Sequence, residues 1–423
     1  MLSRRQFLTR SLQGASLLSL GTVVPQFIAN TARAAEAGKD TVLVVIEMNG
    51  GNDGLNTVIP YGDDLYYKAR PTLGFKKDQV VRVTDHIGLH PAMRSFDQML
   101  QKGQLAIVQG VGYPNPDRSH FESMDIWQSA DPRRKMGTGW LGRGAPQMRD
   151  DKGGVPIMQI GPNRLPMALQ GAPGDVVSIN NRLAYRLDLG GGDVARLKAR
   201  RKLLEDLAQP AQDEDPASML DFVRRREVQT LGTIDRLQEI LTGTQNIGRD
   251  QVVFQDGRLV SLNTLGQKLQ LVARLIEKGF GTRVFYVMID GFDTHSSQAE
   301  QHRKLLAEVA DGISGMFNQL QASGHAKRVL AMTFSEFGRR VYENGSKGTD
   351  HGSGSCLFVA GPALKAGLIG EHPSLKDLDS GDLRYHTDFR RVYATLLDCW
   401  LGCDSTVVLG GKFEHLEGLK PKI

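Results

Sequence analysis

Five short apolar runs, each meeting a turn of glycines and polar groups, restrict what this chain can fold into more than any other feature. Thr41-Val-Leu-Val-Val-Ile46 is continuous and β-branched and leads to Asn49-Gly50-Gly51. Residues 105–108 stop before Gly110, residues 284–289 before Asp290-Gly291, and residues 329–333 before Ser335; residues 357–360 form a fifth run. Runs of this kind, without polar alternation, are strands buried on both faces. Helical patterns lie between them, at residues 96–102, 259–278 and 296–323; the second carries Leu262, Leu265, Leu269, Val272 and Leu275 at helical spacing. Strands alternating with helices predict an α/β domain with a doubly wound, mostly parallel sheet and helices on both faces.

Two stretches break this rhythm. Residues 131–190 are rich in Gly and Pro and read as loops with small strands. Residues 193–241 are rich in Arg, Leu, Glu and Gln and are interrupted at 209–216. They read as two amphipathic helices, a small helical insertion at 191–250 within a domain of residues 35–423.

The N-terminus reads as an address. Ser3-Arg4-Arg5-Gln6-Phe7-Leu8 precedes a weakly apolar stretch from Leu12 to Ala29, and Ala32-Arg33-Ala34 follows. Paired arginines, a diluted apolar core and an A-x-A end predict a twin-arginine signal peptide at residues 1–34. It implies passage through the twin-arginine translocase, a periplasmic or secreted destination, and no stable membrane span after cleavage. Export in the folded state suits a protein that takes up its metal before meeting competing ions. The signal also accounts for the basic balance. The chain has a net charge of +5, and residues 1–34 hold four arginines and no acid. Without them, 48 basic residues face 47 acidic ones, which gives no argument for a nucleic-acid partner. Three cysteines cannot form a disulfide framework and read as small buried apolar residues, although an oxidising compartment would permit a pair.

Ligands of open α/β sheets bind beyond the carboxyl ends of the strands. Asp53 lies in the turn after the first run, and Asp290, Asp293 and His295 follow the third. Glu336 and Arg339 follow the fourth, and Asp350-His351 precedes the fifth. Carboxylates and imidazoles converging from several strand ends suit one or two divalent ions such as Zn or Mn. Singly, each piece has a plainer reading: Asp53 as a turn or helix cap, Glu336 as the ion-pair partner of Arg339 or Arg340. Asp117-Arg118-Ser119-His120-Phe121-Glu122 starts a helix through Trp127 and reads two ways. Either Ser119 and Glu122 form a capping box, or Ser119 is a metal-activated nucleophile with Arg118 or His120 contacting an anion.

The ordered series GGNDGLNT, DRSHFESMDIW, GFDTHSSQ, SEFGRR and GTDHGSGS resembles the DUF1501 family over roughly residues 40–405. That family is grouped with the alkaline phosphatase-like, or sulfatase-like, fold. Residues 385–402, with an Asp opening a helix that ends in Leu401-Gly402, are similar to the C-terminal helix of sulfatases. The resemblance implies an exported metal-dependent hydrolase of a small anionic substrate, a phosphate or sulfate ester. It makes Asp53, Asp293, His295, Glu336 and His351 counterparts of metal ligands and Ser119 the counterpart of the nucleophile, with Arg118, His120 or Arg339 stabilising charge. Three departures stand out. Phe337 occupies the place of a usual metal-binding His, Asp290 competes with Asp293, and Glu47 competes with Asp53. No Cys-x-Pro-x-Arg motif is present, which speaks against a formylglycine sulfatase. The rival expectation is a non-catalytic periplasmic protein that keeps the fold and binds a ligand or partner.

Overall fold

All five apolar runs become strands of one sheet. The computed structural model describes residues 40–149, 155–161, 164–171, 176–180, 264–365 and 367–422, with a few scattered residues between 199 and 259. The expected signal peptide lies outside the described residues, as does nearly all of the expected insertion at 191–250. In chain order the principal elements are β1 (Val42–Asn49), α1 (Gly54–Thr57), α2 (Asp64–Ala69), α3 (Arg94–Gln101) and β2 (Leu105–Gly112). Next come α4 (His120–Ser129), β3 (Ile157–Gly161), β4 (Val176–Asn180), α5 (Leu265–Glu277), β5 (Val284–Asp290) and α6 (Gln298–Ala322). The last are β6 (Val329–Phe334), β7 (Ser355–Ala360), β8 (Gly367–Ile369), β9 (Thr387–Asp388) and α7 (Phe389–Leu396).

The strand order is β8-β2-β7-β6-β1-β5-β3-β4, with β9 also paired to β2. Every pairing is parallel except those of β7, which runs antiparallel to both β6 and β2. The doubly wound, mostly parallel architecture is therefore present. Side chains of β1 alternate between two cores, as a strand covered on both faces requires. Val42, Val44 and Ile46 pack with residues of α3, α5 and α6 on one face. Leu43 and Val45 pack with those of α4 and α7 on the other.

Two features differ from the sequence reading. Residues 157–161 and 176–180 are full members of the central sheet, beyond β5, although their Gly- and Pro-rich flanks suggested minor strands. The reversed direction of β7 also brings the loop 335–354 back over the sheet end that β6 has just left. The C-terminal helix starts as expected, with Asp388 accepting from Arg390 N–H, and runs on through a π turn to Leu401, with Gly402 left-handed at φ 67°. The cysteines are unpaired; Cys403 is buried, but Cys356 and Cys399 are only partly so. Among the described residues no helix is long and apolar enough to cross a membrane.

Candidate metal centre

The strand register brings the predicted turns together. Asn49 lies opposite Asp290 and Glu47 opposite Phe334, so β1, β5 and β6 end side by side. The turns cross at very short range. Gly50 has φ 118°, and a Cβ there would sit 2.4 Å from the backbone nitrogen of Asp293, so only glycine fits. Helix α4 arrives from the opposite core. Its Trp127 stacks on Phe389 at 4.3 Å between ring centroids, and Ser123 Oγ donates to the Glu336 carbonyl at 2.6 Å. One turn earlier on the same helix face, His120 reaches the Glu336 carboxylate.

Three imidazoles and one carboxylate meet at this end of the sheet. Ligand atoms of His120, Asp293 and His351 all lie within 4.8 Å of one another, so this group could hold a metal ion. His295 joins from the side: its Nε2 is 3.0 Å from Asp293 Oδ1 and 2.9 Å from His351 Nε2. The outer nitrogens settle which atoms face inward. His120 Nδ1 donates to Glu336 Oε1 at 2.8 Å, and His351 Nδ1 donates to the Arg118 carbonyl at 2.8 Å, because both partners only accept. Nε2 of each ring is thereby turned towards Asp293, at 3.5 Å from Oδ2 for His120 and 3.2 Å from Oδ1 for His351. This is the arrangement that orients metal-ligating histidines. Among the described residues, buried His120 Nε2 makes no hydrogen bond. Two facing Nε2 atoms at 2.9 Å need a proton or a cation between them. The donor set of imidazole nitrogens and carboxylate thus fits a divalent ion. The bond to Glu336 raises the pKa of His120 against the effect of burial, whereas burial lowers that of His351. Partial burial pushes the Asp293 carboxyl up, but Arg339 and the imidazoles outweigh it and hold it at about 2.

Other predicted residues are engaged elsewhere. Asp53, expected as a ligand, is fully buried against Arg70 and also accepts from Gln298 Nε2 at 2.6 Å. It caps α1 and is not in the histidine group. Glu336 is likewise fully buried, accepting from Gly50 N–H at 2.9 Å and Ser335 Oγ at 3.0 Å besides His120. It holds a histidine in place and lies outside the ligand group. Asp290 accepts from Asn49 Nδ2 at 2.7 Å, and Asp350 lies 3.4 Å from His295 Nδ1, behind the ring. Phe337, where a further imidazole was expected from the resemblance, packs between His120 and His351, with centroids 4.9 and 4.7 Å away. One candidate ligand group therefore forms among the described residues, which falls within the one or two ions expected.

The two arginines expected to stabilise charge are also committed. Arg339 is buried and donates to the carbonyls of Gly50, Gly51, Phe292 and Thr349 and to Asp293 Oδ1. Arg118 forks onto Asp382 Oδ2 with 3.0 and 2.7 Å bonds. Ser119 has extended backbone angles at the start of α4, but its side chain makes no cap bond, and Glu122 pairs with Arg134. The capping box is not formed.

A cleft of about 510 Å³ opens beside His120 and Asp293, which line it together with Met124, Met167 and Met288. Glu47 lines it too, although only 1% exposed. Its Oε2 accepts from Gln128 Nε2 at 2.7 Å and from the Tyr286 hydroxyl. Burial raises the Glu47 carboxyl to about 7, against the lowering effect of those two donors. Gln128 was not anticipated, since nothing local marks it. Tyr286 was legible in principle, because a hydroxyl inside a doubly buried strand needs a buried partner.

The family described as "Protein of unknown function (DUF1501)" matches residues 40–406. No curated protein matches the sequence. Among solved structures, the chain is similar to the PsFucS1 sulfatase from Pseudoalteromonas sp., at 10% identity and a TM-score of 0.37 over 95% of this chain and 77% of that one. It is similar to a protein in the alkaline phosphatase superfamily from Vibrio parahaemolyticus, at 9% identity and a TM-score of 0.34 over 79% and 63%. It is also similar to the alkaline phosphatase from the Antarctic bacterium TAB5, at 9% identity and a TM-score of 0.31 over 78% and 94%.

Proposed function

Since the chain belongs to the DUF1501 family, whose function is undefined, we propose from its site that it is an exported, divalent-metal-dependent hydrolase of a phosphate or sulfate ester. The observation that carries this reading is the inward orientation of His120 Nε2 and His351 Nε2 onto Asp293, each fixed from behind by an acceptor that takes the Nδ1 proton. His120, Asp293, His295 and His351 would hold the ion. When bound, a divalent ion supplies Lewis-acid polarisation of a phosphoryl or sulfuryl oxygen.

The chain's own groups do the rest. Glu336 and the Arg118 carbonyl hold two imidazoles in the productive tautomer, and the ring of Phe337 keeps them from turning. The N-terminus of the ten-residue helix α4 favours an anionic group beside His120. Ser119, immediately before His120 and free of a cap bond, is the attacking hydroxyl in this reading. Residues 1–34 direct the folded chain through the twin-arginine translocase to the periplasm or beyond.

A second reading, a non-catalytic binding protein on the same fold, is favoured by the two arginines. Arg339 is bonded to carbonyls and Asp293, and Arg118 commits its Nε and Nη2 to Asp382, which reduces what either guanidinium offers to charge on a transferred group. Metal content and turnover separate the two. Protein recovered after native export should carry roughly one divalent ion per chain by ICP-MS, and H295A/H351A should carry none. Wild type should turn over an aryl phosphate or sulfate, and S119A should lose turnover while keeping the ion. A folded wild type that neither contains an ion nor takes up Zn or Mn overturns the hydrolase reading. A metal-loaded wild type inert on every ester leaves the binding protein.

A further inference from the structure

We infer that Glu47 is the proton donor of the cleft, holding a proton towards a molecule bound beside the histidines and passing it to the departing oxygen of an ester. This rests on the hydrolase reading for its last step only. The geometry is that of an acid presented from one side. Both Tyr286 and Gln128 bond to Oε2, which leaves Oε1 for a cleft ligand. The residue is almost wholly buried yet forms part of the cleft wall, and His120 and Asp293 line the same cleft. An ester with its anionic end at the imidazoles would extend its other side along Met124, Met167 and Met288, flexible apolar side chains that fit varied leaving groups.

The surroundings favour a proton on Glu47 near neutrality. The titratable groups facing it are Tyr286 and Asp290 on β5, Glu336 after β6 and Tyr393 on α7, with Asp125 and Arg164 on the cleft wall. Burial raises the Glu47 pKa most, Glu336 and Asp290 add to it, and the total comes to about 7. A carboxylic acid with such a pKa can donate and recover a proton at neutral pH. In the step itself, the attacking oxygen forms its bond to phosphorus or sulfur and releases its proton to solvent. The bond to the leaving oxygen breaks with its electron pair on that oxygen, which takes the Glu47 proton. The carboxylate left behind is held by Tyr286 and Gln128 and regains a proton from water; water then displaces the Ser119 oxygen from phosphorus or sulfur and returns a proton to it, so no reactant other than ester and water is needed.

The test joins a proton readout to a leaving-group comparison. Infrared difference spectra of wild type against E47Q should show a protonated-carboxyl band that fades as the pH rises through about 7 and shifts when inorganic phosphate binds. In Y286F, which loses one donor to the carboxylate, the band should persist to higher pH, and this holds even if E47Q folds poorly. E47Q should lower kcat about 10²–10⁴-fold on an alkyl ester, whose leaving oxygen needs the proton, with KM little changed. A nitrophenyl ester, whose leaving group does not need it, should be nearly unaffected. An absent band, or equal losses on both esters, overturns the proposal. A wild type inert on both esters overturns the hydrolase reading instead; a band that titrates and moves with phosphate then still supports Glu47 as the protonated group of the cleft.

Discussion

Replacing Asp53 by asparagine separates a structural carboxylate from a metal ligand. Asp53 Oδ1 and Oδ2 face Arg70 Nη2 at 3.0 Å and Nη1 at 2.5 Å, and both side chains are fully buried. Arg70 is also tied to the carbonyls of Val341 and Arg340, at 2.6 and 2.9 Å, so its charge cannot swing into water. Asparagine keeps the size and removes the counter-charge. Breaking a buried pair from one side costs about 3–5 kcal/mol. Titration gives a similar size. Burial pushes the Asp53 carboxyl up, Arg70 together with His302 and Gln298 more than reverses this, and the group falls from 3.8 to about 2. A shift of that size corresponds to stability on the order of 2–3 kcal/mol. Because the folded pKa is the lower one, this contribution is complete above pH about 4 and is lost as the pH falls towards 2. An unfolding entropy of about 2.1 cal/mol/K per residue, applied to the roughly 300 described residues, turns 3–5 kcal/mol into roughly 5–8 °C. Differential scanning fluorimetry at pH 7 and pH 3, with ICP-MS on the same samples, reads both quantities. D53N should melt lower at pH 7, by a smaller margin at pH 3, with its metal content unchanged. A D53N protein that melts with wild type but has lost its ion refutes the reasoning and makes Asp53 a ligand.

Two further outcomes follow from the same geometry and the N-terminal motif. E336Q keeps an acceptor for Gly50 N–H and His120 Nδ1 but loses the charge behind the imidazole. Metal affinity measured by chelator competition should fall about 10–100-fold with the fold intact, and an unchanged affinity removes His120 from the ligand set. R4K/R5K should leave the uncleaved precursor in the cytoplasm, seen by immunoblot of cell fractions; export at the wild-type level would show that the paired arginines are not the address.

The strands of this fold were legible because doubly buried strands carry an uninterrupted pattern. Val42 to Ile46 cannot be a surface strand, and its glycine-rich turn marks the ligand-binding end. Helices α5 and α6 were legible from spacing, with Thr264 and Gln267 forming a capping box at the start of α5. Strands β3 and β4 were harder, being five residues each among Gly and Pro, with sheet membership decided by pairing of β3 to β5 and of β4 to β3. The site divides in the same way. Asp293 and His295 announced themselves by position after a strand, and His351 by position just before one. Arg70 did not, since it lies 17 residues beyond Asp53 at the end of a short helix and meets it only in the folded chain. His120 was legible as a site residue, but its role depended on Glu336, 216 residues away.

What separates the roles of the acidic residues is environment, and this is why sequence position alone ranked them equally. Asp53, Glu336, Glu47 and Asp293 all sit in or beside the ends of β1, β5 and β6. Asp53 meets a buried guanidinium and becomes a brace. Glu336 meets a backbone N–H, a hydroxyl and an imidazole, and so points His120 Nε2 at the site. Glu47 meets only neutral donors inside the core, so burial dominates and the proton stays near neutral pH. Asp293 alone is half exposed, ionised by Arg339, and ringed by three imidazoles. Among these four, an incoming cation would find its charge partner at Asp293 and its nitrogen donors at the histidines that surround it. The same logic that places Asp53 and Glu336 outside the candidate ligand group leaves them supporting it, Asp53 by bracing the turn after β1 and Glu336 by fixing the His120 ring.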